Sequence, residues 1–152
     1  MIVWRIARAA FQALDGEGAR LNGGRWNGEG TAVVYASGSL SLAALELLVH
    51  VEPLSMPADL VAMEIEVPDR AGLGAVAELA RLPDGWREYP APEWEAELGD
   101  TWVRDGTFLW LAVPSAVVPE ERNVLLNPAH EAMRKVRVRS VRPFRFDERL
   151  LP

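Results

Sequence analysis

Cysteine is absent from this chain of 152 residues, which removes disulfides, thiol nucleophiles and zinc–cysteine sites and fits a reducing compartment. Histidine is nearly absent too. His50 and His130 have no ligand spacing, so zinc catalysis lacks its usual donors and no metal site is expected. No apolar run is long enough to span a bilayer, and no leading segment carries the charged, apolar and small-residue pattern of a signal peptide. A cytoplasmic protein without a membrane partner is the expectation. There is no P-loop lysine followed by Ser or Thr, and the main group of glycines precedes a strand instead of opening a helix after one; Walker and Rossmann phosphate sites both lose support. The formal net charge is −6, which argues against direct contact with nucleic acid. No repeat, low-complexity tract or linker divides the chain, and its length suits a single domain over residues 1–152 with a real core.

What the chain does have is concentrated in residues 16–50, GEGARLNGGRWNGEGTAVVYASGSLSLAALELLVH. Six glycines between Gly16 and Gly30 let backbone approach a ligand closely, and the guanidinium forks of Arg20 and Arg25 suit phosphate or carboxylate oxygens, so the loop reads as an anion cradle. A strand is predicted over residues 31–36, TAVVYA, with Tyr35 near its exposed end. Ser37 and Ser39 are candidate N-caps for a helix over residues 40–49. That helix is almost wholly Leu, Ala and Val, so burial on most sides is predicted. Glu46 is out of place in it. Its helical neighbours are Leu42, Ala43, Val49 and His50, and a carboxylate there needs a specific partner, an arginine or His50, or works at the edge of a pocket.

Elsewhere the chain supplies a frame. Residues 1–10, MIVWRIARAA, alternate as a first strand with Ile2, Trp4 and Ile6 on one face and Val3, Arg5 and Ala7 on the other. Arg5 then lies in an apolar row and needs an anionic partner, Glu46 or a bound phosphate, or a route to water. Pro53, Leu54 and Pro57 mark a loop, residues 60–67 alternate as a half-exposed strand, and residues 75–82 suit a short helix before the turn at Pro83, Asp84 and Gly85. Trp94, Leu98 and Trp102 recur every fourth residue, as a helix with an aromatic core face. A strand over residues 107–113 leaves Ser115 just past its end. No glycines of a nucleophile elbow surround that serine, so it is a hydrogen-bond donor to a ligand or a turn cap. Residues 123–133 read as a strand, an Asn-Pro turn and a brief helix, with Asn127 satisfying backbone groups or facing a ligand. Residues 135–146 are basic, with Val136 and Val138 alternating against Arg137 and Arg139. They form either a solvated strand or a docking face for an acidic partner.

Taken in order, GARLNGGRWNGEGTAVVYAS, SLSLAALELLVH, LAVPSAVVPEERNVLLNPAH and the ending FRFDERL resemble the RES domain, the toxin half of RES–Xre toxin–antitoxin pairs. The likeness runs over nearly the entire chain, and GGRWN, LAVPS and LLNP in this order are its specific blocks. The family is named for an arginine, a glutamate and a serine. On this chain the glutamate matches Glu46, the serine Ser115 and the tyrosine Tyr35. The arginine is best matched by Arg25, with Arg5 as second candidate. Glu131 stands where relatives often carry proline, a departure confined to a turn.

The resemblance implies an α+β fold like that of ADP-ribosyltransferases, with mixed or antiparallel sheets and flanking helices around an NAD cleft. It also implies a toxin that depletes NAD by hydrolysis or phosphorolysis, with protein ADP-ribosylation as the alternative activity. NAD is then substrate, inorganic phosphate a possible co-substrate and an Xre-type antitoxin the partner; no other cofactor is implied. Cleaving the nicotinamide–ribose bond develops positive charge on the ribose, which a carboxylate at Glu46 stabilises. Arg5 and Arg25, with Arg20 as a further cation, would hold phosphates, Tyr35 would stack on nicotinamide, and Ser115 and Asn127 would orient sugar or carboxamide. Two other classes stay open: a non-catalytic nucleotide or partner-binding module, and a sugar hydrolase pairing Glu46 with Glu52.

Overall fold

A computed structural model describes residues 1–52 and 55–151. Seven strands form one sheet: β1 (Ile2–Arg8), β2 (Val34–Ser37), β3 (Leu60–Glu66), β4 (Gly74–Val76), β5 (Trp110–Pro114), β6 (Arg122–Leu126) and β7 (Arg137–Pro143). Their spatial order is β4-β5-β6-β2-β1-β3-β7. Every neighbouring pair is antiparallel except β4 and β5. Helices α1 (Glu17–Asn22), α2 (Leu40–Leu48) and α3 (Glu93–Asp105) complete the α+β architecture that the family resemblance implies.

Alternation along the strands sends apolar residues to both faces. Val34 and Ala36 of β2, with Val124 and Leu126 of β6, join Val3, Met63 and Ile65 in one buried cluster. Leu125 of β6 and Leu111 and Val113 of β5 point the other way, into a cluster with Trp26, Val33 and Trp102. Each Val, Leu, Ile or Met among them contributes about 1.5–3 kcal/mol when fully buried. The second cluster is closed by α3, which lies so near the glycine loop that a Cβ on Gly99 would sit 1.7 Å from the Trp26 carbonyl oxygen. Trp26 and Trp94 meet edge to face there, with centroids 6.4 Å apart.

Several local expectations change. Residues 75–82 form no α-helix. Gly74–Val76 pair in parallel with Trp110–Ala112, and a 3₁₀ turn follows at Leu79–Arg81. Gly74 lies flat on the Trp110 ring, where a Cβ would approach within 2.0 Å; this packing and the ladder outweigh the helical preference of alanine. Strand β3 is not half-exposed: Leu60, Val61, Ala62 and Met63 are all buried because it runs between β1 and β7 with both faces covered. Helix α2 is buried on one side only. Leu42 and Ala43 face inward, whereas Leu45 and Val49 are 39% and 58% exposed. Ser39, not Ser37, caps it, accepting from the Leu42 amide at 3.1 Å. Strand β2 covers Val34–Ser37 and β5 begins at Trp110. Pro53 and Leu54 of the expected loop lie outside the described residues.

The basic segment becomes an edge strand. All seven residues of β7 are exposed, Arg139 pairs with Glu66 at 2.8 Å, and Pro143 closes the strand. Charged side chains and proline are the usual protection of an open sheet edge.

Candidate active site

Helix α2 crosses β1 and β2, held down by Leu42 and Ala43. Glu46 lies one turn beyond Leu42, and its half-buried carboxylate reaches the end of the sheet where β2 and β5 finish and β6 begins. There Oε1 accepts a hydrogen bond from Ser115 Oγ at 2.7 Å and a short one from Asn123 Nδ2. Ser115 is fully buried. Its Oγ accepts from the amides of Val117 and Val118, each at 3.0 Å, which leaves the hydroxyl proton for Glu46. Asn123 is the register partner of Ser37 and accepts from Ser37 Oγ at 2.7 Å. Ser115, from the turn after β5, and Asn123, from β6, thus converge on one carboxylate oxygen, with Ser37 of β2 behind Asn123. Among the described residues Oε2 receives no hydrogen bond, and it is not among the buried unpartnered atoms, so it keeps some contact with solvent.

The charged partners expected for Glu46 are elsewhere. Among the described residues no cation makes an ion pair with it, and the His50 ring contacts its main-chain carbonyl at 2.7 Å, not the carboxylate. Arg20 is on the surface, bound to Glu17 through two hydrogen bonds of 2.7 and 2.6 Å. Arg25 is spent as a strut. Its guanidinium donates to Trp86 O at 2.7 Å, to Glu95 Oε2 at 2.8 Å and to Glu88 O at 3.0 Å. The glycine loop therefore fills its own donors and does not present two free forks to an anion. Arg5 pairs in register with Met63, and the alternation of β1 puts it on the face of Val3. Trp4 is the residue opposite Ser37, so Arg5 is one step along β1 from the network and on the opposite face. Burial holds its guanidinium below its ordinary value, with Asp15 acting in the other direction. Among the described residues no carboxylate makes an ion pair with it.

Tyr35 is half-buried, not exposed at a strand end. Its hydroxyl donates to Asn27 Oδ1 at 2.7 Å and accepts from the Trp26 amide at 3.0 Å, and burial raises its pKa. Asn27 is itself buried and donates to the carbonyls of Ala19, Gly28 and Thr31. This pair gives the GGRWN loop its shape, and a Cβ on Gly24 would come within 2.7 Å of the tyrosine oxygen. Asn127 satisfies backbone, donating to Val103 O at 3.1 Å and accepting from the Ala129 amide at 3.0 Å. Of the residues singled out in the sequence, Glu46 and Ser115 come together; Arg5, Arg20, Arg25, Tyr35 and Asn127 do not join them directly.

From sequence neither Asn123 nor Ser37 is assigned to the site: Ser37 is only a candidate N-cap and Asn123 only the start of a strand. The signal for Asn123 was an amide at the head of an otherwise apolar strand, RNVLL. Glu95 was masked by the tryptophans around it. It is fully buried, with burial raising its pKa against the opposing influence of Arg25. Two surface hollows, one along residues 82–88 and one between residues 30–32 and Asp100, Arg104 and Pro128, contain none of the Glu46 network; the hydrogen bonding, not the size of a hollow, marks the site. Among the described residues no group of three or more His, Asp or Glu could hold a metal ion, and no helix is long and apolar enough to cross a membrane.

The chain is similar to known proteins over nearly its full length. The RES domain matches residues 2–147. A protein of Sphingobium sp. (strain YBL2) named Prs ADP-ribosylating toxin is 42% identical over 97% of this chain and 95% of its own length. Toxin Res of Yersinia enterocolitica is 38% identical, covering 99% of each chain, and Toxin Res of Pseudomonas putida is also 38% identical over 99% of each. In structure the chain resembles one in the crystal structure of the M. tuberculosis MbcT–MbcA toxin–antitoxin complex, with a TM-score of 0.73 and 20% identity over 94% of this chain and 83% of the other.

Proposed function

The chain belongs to the RES domain family, and from that premise we propose that it is the toxin of a toxin–antitoxin pair and cleaves the nicotinamide–ribose bond of NAD. One observation carries the reading: Glu46 is fixed through Oε1 by two neutral donors while Oε2 keeps some contact with solvent. When the glycosidic C–N bond breaks, its electron pair leaves with nicotinamide, which is already charged and needs no acid. Positive charge gathers on the ribose, and a carboxylate held beside it, accepting from a ribose hydroxyl, stabilises that state. Neutral donors orient Glu46 without cancelling its charge as an arginine would.

Arg5 lies on the opposite face of the sheet from the Glu46 network, so it is not assigned to the dinucleotide's phosphates. Arg25, Tyr35 and Asn127 act beneath the site by shaping the loops. Water completes a glycohydrolase and inorganic phosphate a phosphorylase, each adding to the anomeric carbon. The second reading, transfer of ADP-ribose to a protein side chain, is favoured by the name of the Sphingobium relative. The partner we propose is an antitoxin, a reading supported by the pairing of MbcT with MbcA, of the Xre type that the family resemblance implies, and the compartment we propose is the cytoplasm.

The test is incubation of the purified chain with NAD, with and without phosphate, followed by identification of nicotinamide and the sugar product. ADP-ribose marks hydrolysis, its 1-phosphate marks phosphorolysis, and label retained on protein marks transfer. NAD left intact by folded protein, without and with candidate protein acceptors, overturns the proposal.

A further inference from the structure

We propose that Asn123, oriented by Ser37, is the positioning residue that decides which oxygen of Glu46 faces the substrate; this rests on the NAD-cleaving reading above. The proton inventory leaves one consistent arrangement. An ionised carboxylate only accepts, so the amide nitrogen of Asn123 must face Glu46 and its carbonyl oxygen must face the other way. That oxygen lies 2.7 Å from Ser37 Oγ, so the serine has to donate. The network then runs in one direction: Ser37 O–H to Asn123 Oδ1, Asn123 N–H to Glu46 Oε1, with Ser115 O–H converging on the same Oε1.

Neither end of this chain can reverse cheaply. Turning the Asn123 amide over would set its carbonyl against the Glu46 carboxylate, two acceptors face to face. Ser37 is buried and Asn123 half-buried, in register between β2 and β6, and the Ser115 hydroxyl is oriented by two backbone amides. Oε1 is thereby saturated by donors from two strand ends, and Oε2 is the oxygen left for a ribose hydroxyl. The charged groups nearby are occupied otherwise. His50 is on the Glu46 carbonyl, Glu121 accepts from Ser39 and Arg122 donates to Ala77 O.

Asn123→Ala is expected to lower kcat by about 10- to 100-fold, the scale of one hydrogen bond to a charged group, and to leave KM within about threefold. Asn123→Asp supplies the signature that a packing role would not. At neutral pH it sets a second carboxylate against Glu46. On acidification the two share a proton, and the donor is restored. Its activity relative to the wild type must therefore rise as pH falls from 8 to 5. Ser37→Ala is expected to cost less than Asn123→Ala, since it frees the amide to rotate without deleting it.

Independently of turnover, the Asn123 side-chain amide proton facing Glu46 should resonate downfield of its geminal partner in ¹⁵N-labelled protein, and the separation should collapse in Glu46→Ala. Wild-type kcat in Asn123→Ala, or a flat pH ratio for Asn123→Asp, overturns the assignment while leaving NAD cleavage standing. An inactive wild type overturns the reaction, and the amide resonance then decides the assignment; two ordinary geminal shifts would refute it.

Discussion

Glu46 and Glu95 are both carboxylates set into helices against an apolar sheet, and they are held by opposite means. Glu95, on α3, is fully buried and ion-paired to Arg25 at 2.8 Å; its Oε1 is buried without a partner. Glu46, on α2, is half-buried, bound by a serine and an asparagine, and open on one side. A cation neutralises Glu95 and turns it into a strut, through which Arg25 also grips the carbonyls of Trp86 and Glu88. Neutral dipoles orient Glu46 and leave its charge to act on something else. On the proposed reading the difference separates a carboxylate that builds from one that acts on a substrate, and the kind of partner, not the depth of burial alone, makes the distinction.

The comparison breaks most sharply at Arg25. Replacing it by methionine strands the Glu95 charge and should destabilise the fold by about 3–5 kcal/mol, as breaking a buried pair does, measured by denaturant unfolding. The pH dependence has a definite sign. Burial raises Glu95 in the folded state and Arg25 opposes the rise. Without the arginine the folded carboxyl is raised further, so the folded protein holds a proton that the unfolded chain releases. The deficit of Arg25→Met must shrink as pH falls toward the ordinary carboxylate range and grow as pH rises through the folded value. A deficit independent of pH would assign the loss to packing alone.

Next in size is Glu46→Gln, which keeps the shape and removes the charge. NAD consumption should fall by about 10²- to 10³-fold, the usual loss when a preorganised electrostatic group is deleted, with the unfolding midpoint little changed. Unaltered turnover in that variant would refute the proposed role. The smallest effect belongs to Arg20→Ala. Arg20 meets only Glu17 on the surface, so neither turnover nor the unfolding midpoint should move measurably; a marked loss of NAD binding would return the glycine loop to the site.

The sequence made Glu46 legible because a single acid in a run of Leu and Ala has no bland place to go, and Ser115 because it follows a strand broken by Pro114. It made the arginines misleading. Guanidinium groups among glycines look like a cradle, yet the partner of Arg25 is 70 residues away in a helix whose tryptophans draw the eye first. Tyr35 was readable as a residue near a strand end, but not as the clamp on Asn27 and Trp26, because that contact depends on how the loop folds back.

The identities of residues in order determined the family likeness and, through it, the implied class of the fold, while local periodicity determined most of the strands and the single anomalous carboxylate. Only the tertiary structure decided which side chains meet. It joined Ser37, Asn123 and Ser115 to Glu46 through the register of β2 with β6 and β6 with β5, and it gave Arg25 to Glu95. Hydrogen bonds act over about 3 Å, and separation along the chain carries no information at that range until the sheet has formed.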